Sequence, residues 1–401
     1  MKSELLVYVG TYTAPIRFGT GKILQGKGEG IYIHRMDQAT GALELIDTAT
    51  GIPNPSYLAF DPRQRFLYAV NELKTYDGKP TGTVSALAVE PQTGRLTFLN
   101  RRLTHGTDPC HVLVDKHCRS VFVANFMSGS VCVLPVREDG SLGEASDFLQ
   151  HQGSGIDPGR QAGPHAHSVT LDAANRFAFV PDLGLDKLLI YRLDPKRGML
   201  EPNAVPWFRV KPGAGPRQVA IHPNGRFGFL INELDSTIAA LSFDGRNGRF
   251  EELQVVSTLP ADFQGQSTCA EIQVSPSGAF LYGSNRGHDS IAIYRISPRT
   301  GRLTPLGHES TQGRTPRNFG IDPTGQFLLV ANQDTDTVVT FRMDPRTGGL
   351  RPTGQVAHVP TPVCVKFLLR RELGLGSRAA KGGRIADPRD AAGHPPALRL
   401  G

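Results

Sequence analysis

Five side chains in this 401-residue sequence combine groups that move protons with groups that hold anions: His167, Arg217, Glu233, Arg286 and Arg317. An imidazole and a carboxylate can transfer protons near neutral pH, particularly where neighbours shift their pKa values. Arginine presents a planar, permanently charged fork that matches phosphate or carboxylate. Together the set predicts an anion-binding, acid–base site. The competing reading is a rim of salt bridges, with Arg217 and Glu233 paired across one hairpin. The five lie far apart in the chain, so only the fold can gather them.

The elements that would do so form a repeat. Seven segments can be laid on one another, beginning with PSYLAFDPRQRFLYAVNE at Pro55 and PCHVLVDKHCRSVFVANF at Pro109. AHSVTLDAANRFAFVPD at Ala166, PRQVAIHPNGRFGFLINE at Pro216, CAEIQVSPSGAFLYGSNR at Cys269 and PRNFGIDPTGQFLLVANQ at Pro316 follow. The intervals are 54, 57, 50, 53, 47 and 46 residues, and strand-like units at that period mean a propeller rather than a helical solenoid. In the fourth unit an alternating strand, 218–221, enters the turn Pro223-Asn224-Gly225-Arg226, and an apolar strand returns over 227–231. Pro presets φ at one turn position and Gly accepts the conformation others resist. A third strand ends in a turn such as DGRNGRF or DPRTGGL, and a fourth strand follows. Four antiparallel strands make one blade.

The seventh unit, PVCVKFLL at Pro362, breaks off, and the N-terminus starts in mid-repeat with LLVYVGTYT and GIYIHRMDQATGALEL. The expectation is an all-β, seven-bladed β-propeller over residues 1–370, with four-stranded blades and a ring closed by both termini. From 371 the pattern stops, and 371–401, poor in aromatic and β-branched residues, is expected to be a disordered tail.

An internal repeat is its own control: what recurs serves the scaffold, and what departs needs another reason. Asn71, Asn125, Asn232, Asn285 and Asn332 recur at the end of the second strand, which favours a structural bond to nearby backbone. The next position varies: Glu72, Phe126, Asp182, Glu233, Arg286 and Gln333. At the start of the first strand stand His167, Arg217 and Arg317, where other blades carry Ser56, Cys110, Ala270 and Val363. One step on come Glu271 and Asn318. Both points lie at one mouth of a propeller's channel, so the charged cluster in blades three to six marks the candidate site. His165 and His111 are second-line candidates near that mouth. His222 sits at the opposite turns, and His105, His151 and His308 are isolated. The pair His165-x-His167 is not expected to bind metal without further ligands.

Composition narrows the class. Hydrophobic residues make up 39% and charged residues 20%, as in ordinary globular proteins. Of the net charge of +7, the tail's six Lys/Arg against three acids give +3, leaving +4 on the repeat region. That is too mild to argue for nucleic acid and suits a small anionic substrate. Five cysteines without a CxxC pair read as reduced, mostly buried thiols. The first apolar run is too short for a signal peptide, and no apolar stretch approaches the ~20 residues of a membrane helix. A cytoplasmic protein is expected. No GxSxG elbow, P-loop or dinucleotide fingerprint is placed on a strand–helix unit, and the Gly-rich stretch 19–30 reads as a long loop of blade seven.

At YVGTYT, GIYIHRMDQATGAL, PSYLAFDP, PHAHSV, GPRQVAIHP, NELDSTI, SNRGHDSIAIY and PRNFGIDPTGQFLLVANQ the sequence resembles the propeller lactonase family. That family includes the propeller type of 6-phosphogluconolactonase and the fungal 3-carboxymuconate-lactonizing enzyme. The resemblance covers essentially everything before the tail. It implies a cofactor-free, metal-free carboxylic ester hydrolase acting on a small anionic lactone, 6-phospho-D-glucono-1,5-lactone foremost, in the pentose phosphate pathway. The family's rim His, two Arg and Glu would fall on His167, Arg217, Glu233 and Arg286. Glu233 or His167 would then be the general base, Arg217 and Arg286 would hold the substrate and its oxyanion, and Arg317, Asn318, His165 and Glu271 would line the pocket. Gln218 departs from the pattern, because many relatives carry His after the Arg. The alternatives are a carboxymuconate cycloisomerase that forms the lactone, and a non-catalytic ligand-binding propeller.

Overall fold

A computed structural model describes residues 3–371. Seven four-stranded antiparallel sheets form the ring, as the repeat predicts. Blade four shows the plan: Pro216–Ile221, Phe227–Asn232, Thr237–Asp244 and Arg249–Ser257 run from the channel outward. Blade seven is shared between the chain's two ends. Pro362–Arg371 is its innermost strand, followed by Ser3–Thr11, Gly30–Met36 and Leu43–Thr50. The closing pair runs in register from Ser3 opposite Arg371 to Gly10 opposite Cys364. Apart from Arg371 itself, the tail expected over 371–401 lies outside the described residues. Among the described residues no helix is long and apolar enough to cross a membrane, and all five cysteines are free thiols.

The recurrent turn glycine locks each blade to its neighbour. Gly248, at φ +64, lies against Phe177 of blade three, and a Cβ built there would stand 2.4 Å from the ring. Gly348 meets Phe280 of blade five in the same way. The carbonyls of such glycines are also used: Tyr68 donates to Gly140 at 3.0 Å and Tyr282 to Gly348 at 2.9 Å. The recurrent asparagines serve the frame as expected. Asn71, Asn125, Asn285 and Asn332 each donate an amide N–H to a backbone carbonyl of the segment that links their blade to the one before.

Blade three corrects one alignment. Asp182 pairs with Lys187 as Asn232 pairs with Thr237, so it fills the Asn position and not the variable one after it. Nor is His151 isolated: its Nδ1 lies 2.6 Å from Asp182 Oδ2 in a fully buried pair. The stretch 19–30, read as a loop of blade seven, supplies the return strand of a short hairpin, Ile16–Arg17 with Ile23–Leu24. Its base is fixed by Ile16, which packs with Tyr12 and Val363.

A difference between two glycines tests the packing account. Gly248 and Gly225 share a positive φ, but Gly225 has open space where a Cβ would go. Gly225→Ala should cost about 1–2 kcal/mol through the backbone alone. Gly248→Ala should cost about 1–3 kcal/mol more through overpacking. Equal denaturation midpoints for the two variants would refute the glycine–phenylalanine lock.

Candidate active site

A one-residue β-bulge at the mouth shapes the site. In blade four Pro216 pairs with Asn232 and Gln218 with Ile231, so Arg217 is the extra residue. Equivalent register shifts flank Cys110, Ala270 and Arg317. A bulge breaks strict alternation and re-aims side chains. Here it lets both residues of the pairs Arg217–Gln218 and Arg317–Asn318 face the channel.

Arg217 is buried and makes two bonds that fix it. Its Nε lies 3.0 Å from Glu233 Oε2 across the hairpin, and a guanidinium N–H donates to the Ala270 carbonyl. Arg286 reaches the same Glu233 oxygen at 2.9 Å from blade five and donates to the Cys269 carbonyl at 2.7 Å. Arg160 binds the other oxygen at 2.6 Å. Three guanidiniums therefore converge on one carboxylate. Burial alone would raise the Glu233 pKa, but Arg286, Arg217 and Arg160 outweigh it and hold the carboxyl well below its ordinary range. A carboxylate so engaged is a weak base. Glu233, expected as one of two candidate bases, binds three cations at once. Burial in turn lowers the Arg286 guanidinium to about 10, with Glu233 opposing.

Above this cluster opens a cavity of about 280 Å³. Arg160, His167, Glu233, Arg286, Arg317 and Glu72 are among its lining residues. His167 is backed by the Cys110 thiol, 3.7 Å from Nδ1, and meets the Phe126 ring edge-on at 5.3 Å. Burial, with Arg217 and Arg317, pushes its pKa well below 6.5, so the imidazole is neutral. The Arg317 guanidinium lies 5.1 Å from the Phe18 ring and 5.7 Å from the Tyr12 ring. Phe18 belongs to the tip of the blade-seven hairpin, which spans the mouth. Lys22 reaches Asp334 of blade six at 3.6 Å, while Gly19 faces Phe126 of blade two.

The remaining expected contacts lie elsewhere. Glu271 and Asn318 occupy a deeper chamber and do not line the outer cavity. There Gln218 donates to Glu271 at 2.9 Å, Asn318 donates to its other oxygen, and the His111 ring lies tilted against Tyr57 at 4.3 Å. His165 lies behind Phe126, stacked at 4.7 Å with Nδ1 on the Phe126 carbonyl. Among the described residues no three His, Cys, Asp or Glu side chains converge as metal ligands.

Three contributors carried weaker signals. Arg160 belongs to the connection between blades two and three, inside the longest interval, where no repeat applies. That loop is held by the buried Gln161, which donates to the Leu183 carbonyl and to Asp186 at 2.8 Å each. Glu72 stood among the variable positions but in blade one, apart from the cluster sought in blades three to six. Tyr12 lies outside the aligned hairpins.

With this geometry in hand, comparison with known proteins is informative. The family described as lactonase, seven-bladed β-propeller, matches residues 6–367. The chain is 39% identical to the 6-phosphogluconolactonase of Bacillus subtilis over 366 residues, 91% of this chain and 99% of that protein. It is 36% identical to the 6-phosphogluconolactonase of Formosa agariphila over 300 residues, 73% of this chain and 82% of that one. The solved structure of the periplasmic gluconolactonase of Pseudomonas aeruginosa is similar with a TM-score of 0.84 and 34% identity, covering 92% of this chain and all of that one.

The Glu233 cluster makes a pH-dependent prediction. Its depressed pKa means the stability it contributes is fully present above about pH 4.5, its ordinary value, and is lost as pH falls toward the folded value. Glu233→Gln strands three guanidiniums and should cost about 3–5 kcal/mol at pH 7. Denaturation midpoints from pH 7 to pH 3 should show the gap closing on acidification, and a gap independent of pH would refute the anchoring role.

Proposed function

We propose that this chain, which belongs to the lactonase family of seven-bladed β-propellers, hydrolyses an anionic sugar lactone, with 6-phospho-D-glucono-1,5-lactone as its substrate. The carrying observation is charge: three guanidiniums on one carboxylate leave two positive charges in excess beside the cavity. A phosphate dianion matches that excess, and the relatives from Bacillus subtilis and Formosa agariphila bear the name of this activity. The cavity is of a size for one monosaccharide rather than a chain of them.

In the reaction water adds to the lactone carbonyl carbon, the π pair moves to the carbonyl oxygen, and the ring C–O bond then breaks. The products are 6-phosphogluconate and a proton, and no cofactor is needed. The developing oxyanion requires donors already in place. Arg286 lines the cavity and offers its guanidinium there, with its Nη2 pinned by Glu233 and Cys269 so that the fork does not turn. Arg160 and Arg317 hold the substrate's anionic group from the sides. Arg217 acts from behind, through Glu233. His167, neutral and wedged against Cys110 and Phe126, positions the sugar as a hydrogen-bonding partner. Such an enzyme would serve the oxidative pentose phosphate pathway in the cytoplasm, where charged sugar phosphates are retained.

The periplasmic relative favours a second reading, hydrolysis of unphosphorylated gluconolactone. Initial rates on both lactones, corrected for spontaneous opening, separate the two. The phosphorylated lactone should be preferred about tenfold or more, one to two charge-assisted bonds' worth. Arg286→Ala should lower kcat/KM about 10²–10³-fold, as loss of an oxyanion donor does. A wild-type rate at background on both lactones would reject the proposal.

A further inference from the structure

We infer that Glu72 is the catalytic base and acid of this site, taking a proton from the attacking water and returning it to the ring oxygen. The inference rests on the lactonase reading above. Three carboxylates line the cavity: Glu72, Asp108 and Glu233. The oxygens of Glu233 are bound by three guanidiniums. Asp108 holds the Lys74 ammonium at 3.1 Å. Among the described residues, no cation lies within ion-pair distance of Glu72. Its hydrogen bond comes from the Tyr12 hydroxyl to Oε2 at 3.0 Å, and the Ser56 hydroxyl stands nearby. Among the described residues Glu72 is thus the cavity carboxylate that no cation binds directly, Arg317 acting on it only from a distance.

Its placement suits the role. Glu72 belongs to blade one and Glu233 to blade four, as far apart as a ring of seven allows. Both line the same cavity as Arg286, so a lactone with its carbonyl toward Arg286 would lie between them. The pKa directions agree with the division of labour. Burial raises Glu72 above the ordinary carboxyl range, with Arg317 pulling it back, while Glu233 is held far below. Two carboxyls driven apart in this way mark acid–base work for the raised one. His167 is a poorer base, its pKa depressed by burial and two arginines.

The proton account closes. Ionised Glu72 takes one proton from water as the oxygen bonds to the carbonyl carbon. When the tetrahedral intermediate collapses, the ring C–O pair takes that proton back, and the new carboxylic acid releases its own to solvent. Tyr12 is a positioning residue. Its fully buried ring packs on Phe18 of the roofing hairpin at 5.9 Å, so the hydroxyl that orients Glu72 is tied to the element that covers the mouth.

The experiment is steady-state hydrolysis of 6-phosphoglucono-1,5-lactone across pH by wild type, Glu72→Gln and Tyr12→Phe. Glu72→Gln should lose kcat about 10²–10⁴-fold with KM within a few-fold, and should lose the acidic limb of the pH–kcat profile. Tyr12→Phe removes a donor that lowers the Glu72 pKa, so its acidic limb should move to higher pH. A Glu72→Gln enzyme within threefold of wild-type kcat overturns the assignment and leaves the lactonase reading standing. An unmoved limb in Tyr12→Phe overturns it also where Glu72→Gln does not fold. Wild type without turnover on any lactone overturns both.

Discussion

The pairing of Ser3–Thr11 with Pro362–Arg371 fixes the distance from every blade to every other. A blade is apolar on both faces and cannot bury them alone. Its neighbours must cover it, and in a closed ring each has two. The cores accordingly bridge blades: Phe179 and Phe177 of blade three pack with Val219 and Leu230 of blade four. Leu5 and Val7 of blade seven pack with Phe327 and Leu329 of blade six. That last core exists only because the two ends of the chain meet. Without it blade six would be free of blade seven, and Arg317 would have no defined position relative to Tyr12 or Glu72.

Given that frame, each inner hairpin brings few side chains to the mouth, and the site is assembled from pieces too small to act alone. The Glu233 cluster shows what assembly permits. Gathering three arginines around one buried carboxylate leaves charge uncompensated, which costs stability unless something repays it. An anionic ligand repays it on binding. The cost is therefore placed where it becomes affinity and preorganisation, since the guanidiniums need not turn when negative charge develops.

The repeat made the ring, its closure and the register of most blades legible, because turn residues and period-two strands recur where the physics is the same in every blade. It also located Arg217, Glu233, Arg286 and His167 as departures. What it could not show arises where local rules are broken. Strict alternation sends Arg217 and Gln218 to opposite faces, but the bulge brings both inward, which is why Glu271 and Asn318 form a second, deeper layer instead of lining the cavity. Asp182 was placed one position late because it replaces Asn in the frame and takes its partner from His151. Arg160 and the roofing hairpin lie in segments that no other blade repeats, so comparison between blades is silent there.

The deeper layer also gives Gln218 a role. It stands beneath the cavity, and its amide donates to Glu271, which Asn318 and Gln273 also approach. Burial raises the Glu271 carboxyl, with the nearby Lys366 ammonium opposing. A neutral amide donor supports Glu271 whether or not it is ionised, without adding a third titrating group to the chamber. A histidine there would share its protonation with Glu271 and with His111, whose own imidazole is held neutral by burial and Lys366. Gln218 therefore acts on the charge of the channel wall, one layer beneath the outer cavity.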